Sequence, residues 1–124
     1  MSAVRGVRGA ITVERDEASL LLDATERLLR EIVAENGIDS ADVASALFTL
    51  TPDLCSQFPA AAARRMGWTR VPLLNFTEIA VPDGLPRVIR VLLHVESDGT
   101  RIGVEHVYLG GAQVLRPDLE LHYA

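Results

Sequence analysis

Arginines placed within apolar strand sequences are the side chains here best suited to chemistry. Arg8 occurs in VRGVRGAITV, Arg90 in VIRVLLHV, and Arg116 directly after an apolar pair. A guanidinium keeps its proton, so a buried one must meet an anion or several acceptors. Taken singly, each arginine is more typical of a solvated strand residue or a structural ion pair than of a ligand site. Glu78 alone is typical of a surface carboxylate, and Tyr108 of a core tyrosine. Together in one pocket, they would suit a small anion that also bears a hydroxyl.

The sequence lacks the usual residues of hydrolytic and metal-dependent catalysis. It contains neither a glycine-rich phosphate loop nor a GxSxG elbow. His94, His106 and His122 show no helical spacing with a carboxylate, so no metal site is predicted. A lone thiol, Cys55, excludes an internal disulfide, favours a reducing cytoplasmic setting, and is interpreted as chemically inert.

Length and charge restrict the class of protein further. A chain of 124 residues with 48% hydrophobic and 23% charged residues is expected to form one domain over 1–124. Its formal net charge of -5 argues against a nucleic-acid partner, which needs a basic surface. No apolar run approaches about 20 residues, so no bilayer span is expected. The N-terminal segment has arginines but no continuous apolar stretch, so no signal peptide is expected.

Two helices are predicted, one long and one short. Asp16 can cap the first, and Gly37 is suited to end it. Between them an apolar stripe recurs at helical spacing: Leu21, Leu22, Leu28, Leu29, Ile32 and Val33. Pro59 fits the first turn of the short helix, which Gly67 closes.

The remaining segments predict strands of one mixed sheet in an α+β domain. They are residues 4–13, 43–50, an extended stretch around Pro72, 88–95, and 102–109 returning after a hairpin-like turn at 97–100. Alternation in 88–95 places Ile89, Val91, Leu93 and Val95 against the helix, and Arg90 on the other face. That second face is half apolar and under-covered, which is typical of an oligomer. Residues 120–124 are predicted to form a loose tail.

Ordered motifs identify a family. The segments VRGVRGAITVERD, TPDL, FPA followed by Arg64, GW, VP, GLPRVIRV, and HVYL through VLRPDL run from residue 4 to residue 119. In this order they resemble the monofunctional chorismate mutases of the trimeric α/β-barrel type, which are distinct from the all-helical ones. The resemblance implies a pseudo-α/β-barrel homotrimer with active sites between subunits and no cofactor. It also implies the rearrangement of chorismate to prephenate, a step toward phenylalanine and tyrosine.

The resemblance implies a role for each matching residue. Arg8 would bind a substrate carboxylate, Tyr108 would make a second carboxylate contact, and Arg90 would reach the ether oxygen of the breaking bond. Glu78 would accept a hydrogen bond from the ring hydroxyl. Further implied positions are Phe58 and Arg64 from the neighbouring subunit, Leu73 and Leu74 in the pocket wall, and Leu115 with Arg116 closing the mouth.

Two positions depart from the family pattern. Ala61 stands where a lysine is often found, so weaker electrostatic attraction of a dianion is expected, without loss of chemistry. Asn75 replaces a cysteine of some relatives, and its amide could hold the substrate hydroxyl and Glu78 in place.

A unimolecular rearrangement needs no nucleophile or base, which agrees with their absence from the sequence. The alternative function is a non-catalytic trimeric binder or sensor of small carboxylates, or an imine deaminase-like protein of the same topology. Arg8 and Tyr108 would suit either function. Arg90 and Glu78 favour the mutase, because a carboxylate binder needs no cation at an ether oxygen.

Overall fold

A mixed sheet of five strands forms the centre of the fold. The computed structural model describes residues 3–97 and 103–115. Its strands are β1 (Ala3–Thr12), β2 (Val43–Leu50), β3 (Leu73–Thr77), β4 (Val88–Ser97) and β5 (Val107–Leu109), in the order β3-β2-β4-β1-β5. Strand β4 is antiparallel to both β1 and β2, whereas β3 is parallel to β2 and β5 is parallel to β1. The predicted α+β class with one mixed sheet is confirmed.

Two α-helices pack on the same face of this sheet. Helix α1 (Ala18–Asn36) fully buries Leu21, Leu28, Leu29 and Ile32 of its predicted stripe, whereas Leu22 and Val33 are partly buried, and it ends at Gly37, whose φ of 59° is left-handed. Glycine carries no Cβ penalty in that conformation. Helix α2 (Ala60–Arg65) follows Pro59 as predicted, and its alanines join the core. Shorter 3₁₀ helices span Ser40–Asp42 and Gly110–Leu115. In the described ranges, no helix combines the length and apolar character that crossing a membrane would require.

The core lies between these helices and one set of alternating strand residues. Phe48, Ile89 and Leu93 are fully buried in it, and Val91 nearly so. Helix α1 approaches the sheet closely at Gly9, where an added Cβ would lie 2.6 Å from Ile32 Cδ1 and 3.1 Å from Leu28 Cδ1. A side chain at position 9 would therefore force these α1 side chains to shift.

The opposite face of the sheet carries the polar residues. Strand register sets Arg90 beside Ala10 of β1 on one side and Thr49 of β2 on the other, and Ala10 is in turn opposite Tyr108 of β5. Paired residues of neighbouring strands point to the same face. The prediction that Arg90 lies on the face away from the core is therefore confirmed.

Two local predictions are wrong. Asp16 does not cap α1, because Glu17 occupies the N-cap position without a side-chain bond. Asp16 instead accepts hydrogen bonds from the backbone N–H groups of Cys55, at 3.1 Å, and Ser56, at 3.0 Å. The backbone donors of the loop after β2 thus bind the Asp16 carboxylate in place of the N–H groups at the start of α1.

The second error concerns the chain after β4. A returning strand over residues 102–109 was predicted, but residues 103–106 are not strand and β5 begins at Val107. Strand β5 pairs in parallel with β1 rather than as a hairpin with β4. The physical reason is that β1 and β2 already occupy both edges of β4. Most of the predicted turn, Arg116 and the tail lie outside the described residues.

Candidate active site

A cavity of about 480 Å³ opens on the face of the sheet opposite α1 and α2. Three side chains able to bind anions or hydroxyls reach it from three different strands: Arg8 from β1, Arg90 from β4 and Tyr108 from β5. Its walls are mainly apolar and include Ala10, Leu47, Phe76, Leu92 and Leu115. An apolar cleft with a few convergent polar groups is the usual form of a small-ligand site.

Arg90 is oriented by the Glu78 carboxylate, which is in turn held by other hydrogen bonds. Its Nε donates to Glu78 Oε2 at 3.0 Å, and Thr49 Oγ1 donates to the same oxygen at 2.5 Å. The backbone N–H of Glu78 donates to the Leu50 carbonyl at 2.9 Å, which anchors the residue at the end of β2. The side chain of Glu78 is 15% exposed and that of Arg90 42%. The guanidinium is therefore oriented from the sheet side while part of it remains open to a ligand.

The start of β4, which sets the position of Arg90, is fixed by the TPDL segment. The Asp53 carboxylate accepts from the Arg87 N–H at 3.0 Å. Thr51 Oγ1 accepts from the Val88 N–H at 3.0 Å and donates to Asp53 Oδ1 at 2.5 Å. Arg87 has a φ of 50°, an unfavourable left-handed conformation for a residue with a Cβ. These bonds offset that strain three residues before Arg90.

Arg8 and Tyr108 lie on adjacent strands, β1 and β5. The backbone N–H of Arg8 donates to His106 Nδ1 at 3.0 Å. Burial, followed by repulsion from the Arg8 guanidinium, lowers the pKa of His106, while Glu105 acts in the opposite direction. The imidazole is therefore favoured in its neutral form, with Nδ1 available as an acceptor.

The other residues that the sequence predicted for the site lie at different places in the fold. Leu115 lines the cavity and packs near Ala10 and Tyr108, as expected of a residue at its mouth. Leu74 pairs with Leu47 of the cavity wall and lies on the same face of the sheet. Leu73 packs instead against the helix-side core.

Asn75, Phe58 and Arg64 lie with α2 rather than in the cavity. Asn75 Oδ1 accepts from the N–H of Ala60 at 3.0 Å, so this oxygen holds the start of the helix. This differs from the expectation that the Asn75 amide holds Glu78, and leaves Nδ2 as the atom able to meet a ligand. Phe58 is 64% exposed, and the exposed Arg64 borders a separate pocket beside Trp68.

Thr49 is the functional candidate that the sequence interpretation missed. The strand 43–50 was recognised, but its alternation was not extended to the other face, where Ser45, Leu47 and Thr49 recur at a period of two. That period was the available signal. The sequence around His106 contains no signal that its partner is the backbone N–H of Arg8.

No candidate for metal binding or a reactive thiol emerges from the described residues. Within 3–97 and 103–115, His, Cys, Asp and Glu side chains form no group of three or more that could hold a metal ion. Cys55 Sγ donates to Asp16 Oδ2 at 3.2 Å. This bond and the carboxylate charge raise the pKa of the Cys55 thiol, which disfavours the nucleophilic thiolate.

Two arginines and a tyrosine in an apolar cleft, with a carboxylate paired to one of the arginines, form a site suited to a small anion. Comparison with known proteins gives the family. The family model described as chorismate mutase type I matches residues 4–119. The chain is 52% identical over 118 residues to chorismate mutase AroH of Thermus thermophilus, covering 94% of this chain and 97% of that protein.

Two further similar proteins are also chorismate mutases. Chorismate mutase AroH of Bacillus subtilis (strain 168) is 44% identical over 119 residues, covering 95% of this chain and 94% of that protein. A solved chorismate mutase structure from Clostridium thermocellum matches with a TM-score of 0.86 at 44% identity, covering 89% of this chain and 98% of that one. The chain therefore belongs to the type I chorismate mutase family. The family and the isomerase function in aromatic amino acid biosynthesis that the motifs predicted are confirmed.

Proposed function

We propose that this chain rearranges chorismate to prephenate in the cavity around Arg90, by holding the substrate compact and stabilising charge on its ether oxygen. The observation that carries the proposal is the fixed position of Arg90. Glu78 and Thr49 orient its guanidinium before any ligand arrives. A cation that needs no reorganisation during reaction is the form of electrostatic catalysis with the largest effect on rate.

The chemistry of the rearrangement explains why Arg90 alone should have a large effect on the rate. In the rearrangement one C–O bond breaks as one C–C bond forms, and no electron, proton or group passes to another molecule. The reaction itself therefore needs no cofactor. Negative charge develops on the ether oxygen as the C–O bond lengthens, so a cation beside it stabilises the transition state more than the ground state. Among the described residues, the hydrogen bond of Arg90 to Glu78 is made through Nε. The four N–H donors on the two terminal nitrogens are therefore available to the substrate.

The remaining groups fit the rest of the substrate. Arg8 binds one carboxylate and Tyr108 makes a second carboxylate contact from the adjacent strand. Both hydrogen bonds to Glu78 from within the described ranges end on Oε2, so Oε1 is the oxygen that accepts from the ring hydroxyl. Contacts at both ends of the substrate bring the reacting carbons together and remove part of the entropic barrier.

The charge of the site supports a contribution from a second subunit. Arg8 and Arg90 carry two positive charges and Glu78 one negative charge, so this part of the site is one charge short of balancing a dianion. Arg64, supplied with Phe58 by a neighbouring subunit, would add the missing cation. Both side chains are exposed in the single chain, as such a role requires.

The outer edge of β3 supports a homotrimer with active sites between subunits. This edge strand has no neighbour on its outer side in the described sheet order. Leu74 is 57% exposed and Ile79, which follows the strand, is 88% exposed. Apolar residues on an open strand edge favour association with another chain. In this assembly Leu115 and Arg116 would close the mouth, and Ala61 would leave one peripheral charge missing.

We place the reaction in the cytoplasm, in keeping with the reducing setting that the single Cys55 favours. The balance of charges and the exposed β3 edge are independent reasons to expect the assembled form to be the active one.

The direct test follows loss of chorismate by absorbance with the purified protein and with Arg90→Ala. The substitution is expected to lower kcat by about 10²–10³, or about 3 to 4 kcal/mol, by analogy with loss of an oxyanion donor. Arg90→Lys should rescue little, because lysine lacks the planar fork of donors. Arg30→Ala is the matched control, since Arg30 pairs with Glu26 on the exposed surface of α1.

Two outcomes would refute the proposal. An Arg90→Ala enzyme as fast as the parent would show that the cation does not act on the ether oxygen. A protein that binds chorismate without accelerating its loss would favour the carboxylate-binding alternative.

A further inference from the structure

Side-chain hydrogen bonds supplement the short backbone ladder that attaches β5 to the sheet. Strand β5 has only three residues, which pair with Gly9, Ala10 and Ile11 of β1. At the end of this short ladder the acceptor for the Arg8 N–H is the imidazole of His106, at 3.0 Å, in place of a backbone carbonyl. Arg8 is the residue proposed to bind a substrate carboxylate. Its backbone N–H is thus bound by a side chain 98 positions away in the sequence.

His106 is itself held in place from the helix layer. Asn36, the last residue of α1, is 3% exposed. Its Oδ1 accepts from the Glu105 N–H at 2.7 Å and its Nδ2 donates to the Glu105 carbonyl at 2.8 Å. The amide thereby pairs with the backbone immediately before His106 as a neighbouring strand would. The imidazole consequently approaches β1 from a fixed backbone rather than from a free loop.

We infer that His106 is a positioning residue for substrate binding, which sets the place of the Arg8 side chain in the cavity by accepting the Arg8 N–H at Nδ1. The inference rests on the proposed function, in which Arg8 binds a substrate carboxylate. The lowered pKa of His106, caused by burial and then by the Arg8 charge, agrees with this role, because protonation would convert Nδ1 from an acceptor to a donor. Arg8 and Glu105 are the charged groups that act on the ring.

The experiment compares three substitutions of His106 by steady-state kinetics with chorismate. In His106→Asn the amide oxygen can occupy the position of Nδ1, in His106→Gln it lies about one bond further out, and in His106→Leu no acceptor remains. The leucine variant is expected to raise KM about five- to tenfold with kcat within about threefold, because a carboxylate contact is made in both ground and transition states. His106→Asn should keep KM within about twofold of the parent, and His106→Gln should resemble the leucine variant.

A double-substitution cycle with Arg8→Ala shows whether His106 acts through the guanidinium. Arg8→Ala removes the guanidinium but keeps the backbone N–H, so the bond to His106 survives. Adding His106→Leu to Arg8→Ala should then raise KM by less than about twofold, since the two effects share one contact.

Each outcome has a definite meaning. An unchanged KM in His106→Leu, equal damage in His106→Asn and His106→Leu, or a full effect of His106→Leu on top of Arg8→Ala would overturn the positioning role. An unchanged KM in Arg8→Ala would instead overturn the proposed carboxylate contact. If His106→Leu does not fold, a normal KM in His106→Asn with a raised KM in His106→Gln supports the inference, and equal KM values overturn it.

Discussion

Replacing Thr49 by valine tests whether Arg90 is oriented by a network rather than by Glu78 alone. Valine keeps the branched shape and loses the hydroxyl, which donates to Glu78 Oε2 at 2.5 Å. A hydrogen bond to a charged group is worth about 1.5–3 kcal/mol. Because the Arg90 Nε remains bound to the same oxygen, only part of that orientation is lost, and about 1–2 kcal/mol should appear in the barrier. That corresponds to a fall in kcat of about 5- to 30-fold.

The assay is the continuous loss of chorismate at saturating substrate, with Thr49→Ser as the matched control. Serine retains the hydroxyl, so its kcat should stay within about threefold of the parent. Denaturant unfolding of all three proteins separates a rate effect from a folding defect. Equal kcat values for valine and serine, with unchanged stability, would refute the idea that Thr49 helps to position the cation.

Two further substitutions test the packing and the thiol environment. Gly9→Ala would place a Cβ 2.6 Å from Ile32 Cδ1, so it should lower the free energy of unfolding by about 1–3 kcal/mol in a denaturant titration; unchanged stability would contradict the close approach of α1. Asp16→Asn should return the raised pKa of Cys55 toward its ordinary value, since it replaces the carboxylate that accepts the thiol hydrogen bond and removes the charge that disfavours the thiolate. Alkylation of Cys55 should then be faster in the variant at pH 8 and equal in both proteins well above the thiol pKa; equal rates at pH 8 would contradict the assignment.

The direction of Arg90 could be predicted from sequence because strand alternation is local. Residues 88–95 alternate between large apolar side chains and a mixed set, and the structure buries Ile89, Val91 and Leu93 on the helix side. The period of two requires only that the segment be a strand. Its functional meaning came from motif resemblance, since alternation contains no information about a ligand.

The partners of Arg90 and the placement of β5 could not be predicted in the same way, because both depend on strand order. Thr49 meets Glu78 only because β2 lies between β3 and β4. Strand β5 pairs with β1 because β4 has no free edge, although its sequence reads as the second half of a hairpin. The local sequence likewise favoured Asp16 as the cap of α1, but its carboxylate accepts hydrogen bonds from the backbone N–H groups of Cys55 and Ser56 instead. In each case a contact distant in sequence overrode a favourable local pattern.

The layering of the fold explains why the cavity in which we propose the reaction lies on an open face of the sheet. Helices α1 and α2 both pack on one face, so among the described residues the other face of the sheet has only the 3₁₀ helix Gly110–Leu115 beside it. An arginine can stand on that face at little cost because Glu78 pairs with it and water reaches the rest of it. The same openness would weaken the electrostatic effect of Arg90 on a substrate, since solvent screens charge. In the trimer that we propose, a neighbouring subunit excludes that water, so assembly would both complete the charge of the site and strengthen the cation already in place.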